Sequence, residues 1–354
     1  MDTDIVFLAI LMGDLALWTL PAYAMSAPGT SSEEFLNLGF GARPEAMGNA
    51  FTGLADDVNA IAYNPAGLAF LPNQEVSLTD NEYIQNTRQE QMAYALPSQG
   101  FGTLGLSANL LQVAPFASYD VNDVPAGNIS AQDMALGAAY AYGIGNLGFG
   151  FRGQYLHSTL DSVAASGTSW DAGGLYKLKS SETESFSIGA AITNVGPGFQ
   201  FIQQAFPLPL TEKVGAAYST QLWDKESRLT VTADIGFPRG GSQYISGGLE
   251  FTPLEIACLR LGYQGYQEAG IGFTGGLGLH VIRRGYSWLS ASDYPAGFPD
   301  IDLDYSIMPL GGLGYAQEAS LTFFFNSSSE DSAYQNGKKA RKPKGWGMSY
   351  ESLP

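Results

Sequence analysis

From Gln132 to Tyr155 the chain changes chemical character at every step. One register holds Met134, Leu136, Ala138, Tyr140, Tyr142 and Ile144, while the other holds only Ala135, Gly137, Ala139, Ala141 and Gly143. After Gly145-Asn146 the alternation resumes, with Leu147, Phe149 and Phe151 on one side and Gly148, Gly150, Arg152 and Gln154 on the other. Side chains alternate across a strand with period two, so this hairpin has one apolar, aromatic face and one small or polar face. A soluble sandwich would normally place Lys and Glu on its polar face. Gly, Ala and an occasional charge there suit a barrel interior, with lipid on the other side.

Composition agrees. The chain has 44 glycines and only 14% charged residues among its 354, against about 25% charged in ordinary soluble domains. A formal charge of −17 argues against nucleic acid or anionic head groups as main partners, since both attract basic surface. The single cysteine, Cys258, permits no internal disulfide and reads as a packed thiol in a strand Leu254–Tyr263. The one long apolar run, Ile5 to Leu20, is followed by Ala22-Tyr23-Ala24. That pattern predicts a signal peptide over 1–24, although Asp2 and Asp4 stand where basic residues are usual. With no other segment fit for a membrane helix, spanning requires a barrel.

Alternating segments recur near 74–83, 89–97, 102–113, 129–144, 147–160, 166–178, 186–195, 208–221, 228–237, 242–252, 254–265, 271–284, 299–309 and 315–325. The expected fold is all-β, a transmembrane antiparallel barrel of about fourteen strands over 73–325, with both ends in the periplasm. Parity puts the longer connections 114–128 and 196–207 outside the cell. It also puts the long stretch 285–298 on the periplasmic side, where it is either an insertion or a sign that the count is off by one. Ala319, Leu321, Phe323 and Phe325 share the lipid face of the last strand, which looks like the signal read by the outer-membrane assembly machinery. Residues 326–354 form a polar tail with Lys338, Lys339, Arg341, Lys342 and Lys344.

Ahead of the barrel runs a block of another kind, Gly41-Ala42-Arg43-Pro44-Glu45-Ala46-Met47-Gly48, continuing through Asp56-Asp57 to Asn64-Pro65-Ala66-Gly67-Leu68. It resembles the N-terminal signature of the PorV/PorQ family of outer-membrane proteins, distant relatives of the FadL-type long-chain fatty acid transporters. Ala191-Ile192-Thr193-Asn194-Val195-Gly196-Pro197 and Leu303-Asp304-Tyr305-Ser306-Ile307-Met308-Pro309 resemble the same family. Together the blocks span roughly 36–325. The resemblance implies that 25–72 forms an N-terminal arm and a small hatch inside the lumen. Small residues at 39, 41, 48, 50 and 53 allow compact turns there, and Pro65 can open a short helix capped by Asn64.

The candidate hatch residues are Arg43, Asp56, Asp57, Asn64, Pro65, Ala66 and Gly67, with Asp56 and Asp57 able to pair with Arg43. Lumen-facing candidates are Arg152, Gln154, Lys213, Asp234, Arg260 and His280. Asp300, Asp302 and Asp304 share one strand face and read as lumen carboxylates opposite Arg152, Lys213 or Arg260. His157 and His280 fall in separate hairpins, and no Cys–His pair, nucleophile elbow, phosphate loop or metal-ligand spacing is evident. No enzyme, metal or cofactor is expected. The expected location is the outer membrane of a diderm bacterium. Expected partners are outer-membrane lipid, the assembly machinery, and either a hydrophobic small molecule or a secreted protein. The resemblance implies two functions: a plugged channel for hydrophobic molecules, or a barrel of a type IX-like secretion system that holds cargo at the cell surface.

Overall fold

Alternation carries through the described strands from Gln74 to Phe325, and the sheet they form closes on itself. The computed structural model describes residues 31–98, 100–181, 183–222, 227–239, 241–266, 269–282 and 299–325. The expected signal peptide, the stretch 285–298 and the basic tail lie outside the described residues. The strands are β1 (Gln74–Glu82), β2 (Thr87–Ser98), β3 (Gly102–Tyr119), β4 (Pro125–Ile144), β5 (Leu147–Leu160), β6 (Val163–Ser180) and β7 (Glu184–Val195). They continue as β8 (Phe199–Gln200), β9 (Ala205–Phe206), β10 (Thr211–Gln221), β11 (Arg228–Pro238), β12 (Tyr244–Thr252), β13 (Ala257–Gln264), β14 (Phe273–Ile282), β15 (Asp300–Pro309) and β16 (Tyr315–Phe325). Fourteen of these form a closed antiparallel meander, while β8 and β9 make a separate small hairpin. Closure joins the last strand to the first, from Gln74 opposite Phe325 to Glu82 opposite Gln317.

The registers fall as the alternation requires. Leu136, Phe149 and Val231 are exposed, whereas Ala135, Gln154 and Thr232 are buried. No described helix is long and apolar enough to cross a membrane. The apolar outer belt and the closure of the fourteen-strand sheet make this an outer-membrane barrel.

Two expectations are corrected, and one open alternative is settled. Residues 114–128 are not a loop. β3 and β4 continue through them as a hairpin closed at 120–124, which projects roughly 20 Å past its neighbours at 3.3 Å per residue. Leu254 belongs to a short 3₁₀ turn, Pro253–Glu255, so the strand holding Cys258 starts at Ala257. β14 and β15 pair directly, so the length of the 285–298 connection does not alter the strand count.

The interior is where this protein keeps its core. The hatch contains α1 (Ala42–Ala46), α2 (Ala60–Tyr63) and a 3₁₀ turn, Pro65–Phe70. Its Met47, Phe51, Val58, Ile61 and Leu68 are fully buried and pack against wall alanines Ala93, Ala95, Ala139 and Ala141. The arm before it packs Phe35 into a second cluster with Leu156, Phe199 and Leu208. There the loop carrying β8 and β9 folds over the arm, and the Ser32 amide donates to the Pro207 carbonyl at 3.0 Å.

Candidate functional site

The hatch meets the wall where the wall lacks side chains. Gly150 faces Gly173, Gly189 faces Gly215, and Gly248 faces Gly262 across neighbouring strands. A methyl group on Gly150 would lie 2.1 Å from the Pro65 carbonyl carbon, and one on Gly262 would lie 2.1 Å from the Gly48 nitrogen. Backbone of the hatch therefore touches backbone of the barrel, a close approach only glycine permits. Hydrogen bonds fix the contacts. Asn64 caps the turn by accepting from the Ala66 amide (3.2 Å), and its Nδ2 donates to the carbonyls of Thr52 (2.9 Å) and Gly174 (3.1 Å). Asp234 accepts from the Thr52 amide at 2.8 Å, and Thr232 donates to the Ala50 carbonyl at 2.8 Å.

A charge network locks the hatch to the wall. Arg43 donates to Asp56 and Asp57, both at 2.7 Å, and reaches across to Glu250 on β12 at 2.9 Å. Glu250 also accepts from Arg260 at 2.6 Å, and Arg260 in turn bonds Asp304 at 2.5 Å. Burial raises the Asp57 carboxyl to about 6; Arg43 pulls it down and Asp56 pushes it up. Burial works against the Arg43 charge, but Asp56, Glu250 and Asp57 outweigh it and hold the guanidinium firmly protonated.

Above the hatch, toward the rim that carries Tyr83, Pro238 and Met308, two cavities flank the arm. The inner one, about 50 Å³, is lined by polar groups including Ser107, Asn109, Arg152, Gln154 and Lys213. It has room for only a few waters at about 10–15 Å³ each. The outer one, about 370 Å³, opens at that rim and is lined by Leu38, Tyr83, Leu210, Met308 and Leu310, with Glu34, Glu45 and Arg239 among its polar groups. That is the size of a small-molecule pocket. Asn37, Leu38 and Gly39 border both cavities, so the arm is the partition between them. Asn37 is held by Glu34 (2.8 Å) and the Tyr266 hydroxyl (3.3 Å).

The structure divides the seven hatch candidates between two groups: Arg43, Asp56 and Asp57 meet at Glu250, while Asn64, Pro65 and Ala66 lie against Gly150 and Gly173, with Gly67 packed on the Ala55 carbonyl inside the hatch. Of the lumen candidates, Arg152 pairs with Asp171 at 2.6 Å, Gln154 donates to Ser169 at 3.0 Å, and Lys213 lies over the Tyr63 ring at 5.6 Å. His280 stands apart, near the opposite end of the barrel, 2.7 Å from Asp302. One expectation is overturned here: a Cys–His pair exists, with Cys258 Sγ 3.4 Å from His280 Nε2. The thiol is only 2% exposed, so it packs within the wall rather than facing a substrate. Glu250, Asp171 and Glu318 were missed by the sequence reading. Each falls in the inward register of its strand, which was the available signal.

A family model described as an uncharacterised protein family (UPF0164) matches residues 26–200. No curated protein matches the chain. Among solved structures, a deltaS2S3 mutant of the monoaromatic hydrocarbon channel TodX aligns at a TM-score of 0.52 and 14% identity, over 82% of this chain and 99% of that one. The deltaS2 mutant of the same channel aligns at 0.52 and 13% identity, over 81% and 99%. The Pseudomonas putida toluene transporter TodX aligns at 0.49 and 13%, over 81% and 97%. At such identity the likeness is one of fold alone: this chain shares its barrel fold with that hydrocarbon channel.

Proposed function

We propose that this protein is an outer-membrane channel for hydrophobic small molecules, closed by its hatch. The observation that carries the reading is the outer cavity of about 370 Å³, open to the exterior and walled by Leu38, Leu210, Met308 and Leu310 directly above the plug. A monoaromatic ring burying about 150 Å² there gains about 4 kcal/mol at 25 cal/mol per Å², before the cost of immobilisation. Such weak capture suits a conduit, where a ligand must also leave. The ligand then displaces the Asn37–Gly39 partition, enters the space so widened and passes where a few hatch residues give way. The fold shared with a hydrocarbon channel supports this direction of reading. Outer-membrane lipid against the apolar belt, and the assembly machinery reading the strand that ends in Phe325, complete the proposed partners.

The test is toluene binding by saturation-transfer NMR on detergent-purified protein, together with liposome swelling in glucose. Toluene should bind, Met308→Arg should abolish that binding, and glucose should not permeate. A full-length protein that passes glucose freely is a general pore, and the reading fails.

A second reading, a PorV/PorQ-type barrel that holds a secreted protein at the surface, draws on one feature. The projecting β3–β4 hairpin exposes Phe116, Tyr119, Val121 and Val124 at its tip, and large exposed apolar groups mark interaction surfaces. Trimming that tip separates the two readings. It leaves toluene binding intact under the first and releases a surface-held protein under the second.

A further inference from the structure

One seam of the barrel gathers buried oxygen atoms that have nothing to accept from. Ser306 on β15, Glu318 on β16 and Asn81 on β1 are directly opposed in register across the strands that close the barrel. Opposed side chains on one face stand about 5 Å apart at Cβ. All three point inward, at 1%, 2% and 3% exposure. The hatch helix α1 lies against this row: the Gly41 amide donates to Glu318 Oε1 at 3.0 Å, and the Ala42 amide donates to Ser320 Oγ at 2.8 Å. Glu45, on the same helix, is 3% exposed and borders the outer cavity.

Each carboxylate has one oxygen satisfied and one not. Glu45 Oε2 accepts from Asn49 at 3.0 Å, yet Glu45 Oε1, Glu318 Oε2, Asn81 Oδ1 and Ser306 Oγ have no hydrogen-bond partner among the described residues. Asn81 uses its Nδ2 on Gln89 at 3.2 Å, which leaves its oxygen as the free end. Neither carboxylate is in an ion pair among the described residues; Arg43 is committed to Asp56, Asp57 and Glu250. A buried acceptor left unsatisfied is destabilising, and a charged one more so. Three bare acceptors share one hydroxyl, and its single proton can serve only one of them; the remaining oxygens call for a positive charge.

We propose that this seam binds a hard divalent cation, calcium, between Glu45 of the hatch and Glu318, Asn81 and Ser306 of the wall. An all-oxygen donor set with two carboxylates selects calcium or magnesium over softer metals. Calcium accepts the irregular geometry that a hatch and a wall present together, with waters from the outer cavity completing six to eight ligands, whereas magnesium demands a near-ideal octahedron. The cation ties α1 to the strands that close the barrel, so the hatch is braced from the exterior side. This site is independent of the channel reading and stands or falls separately from it.

The experiment uses full-length protein in detergent, stripped with EDTA, then titrated with calcium chloride by calorimetry and followed by thermal unfolding. One calcium should bind per chain and raise the melting temperature. Glu45→Gln and Glu318→Gln should each weaken binding by about tenfold or more, since affinity follows ligand charge, while both keep a heat-modifiable barrel. Asp302→Asn, a carboxylate near the other end of the lumen, should bind as the unaltered protein does. Absence of calcium binding at neutral pH overturns the proposal, as does undiminished binding in both Gln variants. If no calcium binds and Glu318→Gln is the more stable protein, the two carboxyls share a proton instead.

Discussion

Glu33 on the arm shows how one side chain can make a contact conditional. It is buried beside Asp133 and accepts from Ser158 at 3.1 Å. Burial, and then Asp133, raise its carboxyl to about 7, against the opposing pull of the Ser158 hydrogen bond. The docked arm therefore holds a proton that the free arm releases near 4.5. Docking is undiminished below that value. It weakens as pH rises from about 4.5 to about 7, because docking must then return a proton to the group, and is level above, where both forms are charged. A fluorophore on Ser31→Cys should report this as anisotropy falling between those limits, since Cys258 is buried and will not label. Glu33→Gln should flatten the curve; an unchanged slope would assign the titration elsewhere. No sequence pattern announced this group, because its environment is made by strands more than a hundred residues away.

At the scale of elements, the hatch is held by a few polar bonds and a broad apolar contact. Arg43→Ala would leave Asp56, Asp57 and Glu250 facing one another with only Arg260 to compensate. Breaking a buried pair costs about 3–5 kcal/mol, and the exposure of Asp56 places this case near the lower end. Planar-bilayer recordings should then show intermittent conductance where the unaltered barrel is quiet. Deleting residues 37–70 should give a steady pore, and a quiet deletion variant with an intact barrel would mean something other than the hatch seals the lumen. The strands themselves were legible in the sequence because period-two alternation is a local signal that each segment carries alone. The hairpin tip was not. Residues 114–128 leave the membrane and lose the two-solvent contrast, so Phe116 and Tyr119 no longer alternate with small partners and read as loop. The Arg43 pairing with Asp56 and Asp57 could be guessed within one segment. Its bond to Glu250 joins residues separated by 207 positions, a distance over which spacing says nothing.

Over the whole molecule, lipid, lumen and hatch give three different environments to positions that look alike along the chain. Arg at Leu136 or Val231 meets hydrocarbon, costs about 2–4 kcal/mol near the midplane, and should abolish the heat-dependent gel shift of a folded barrel. Arg at Gln154 borders the inner cavity within reach of Asp171 and should assemble normally. Arg at Thr232 belongs to the same inward register, but that hydroxyl touches the Ala50 carbonyl, so its barrel should form and leak. Equal behaviour of the two inward variants would show that the hatch does not seat there. The facing glycines set the manner of any opening. A piston needs clearance between itself and its cylinder, and here the wall is moulded to the casting it holds, with no gap left for sliding. The plug cannot travel as a body without carrying bulges of backbone past one another. A passage has to be opened from within it, by a few residues giving way along one side while the remainder keeps its seat.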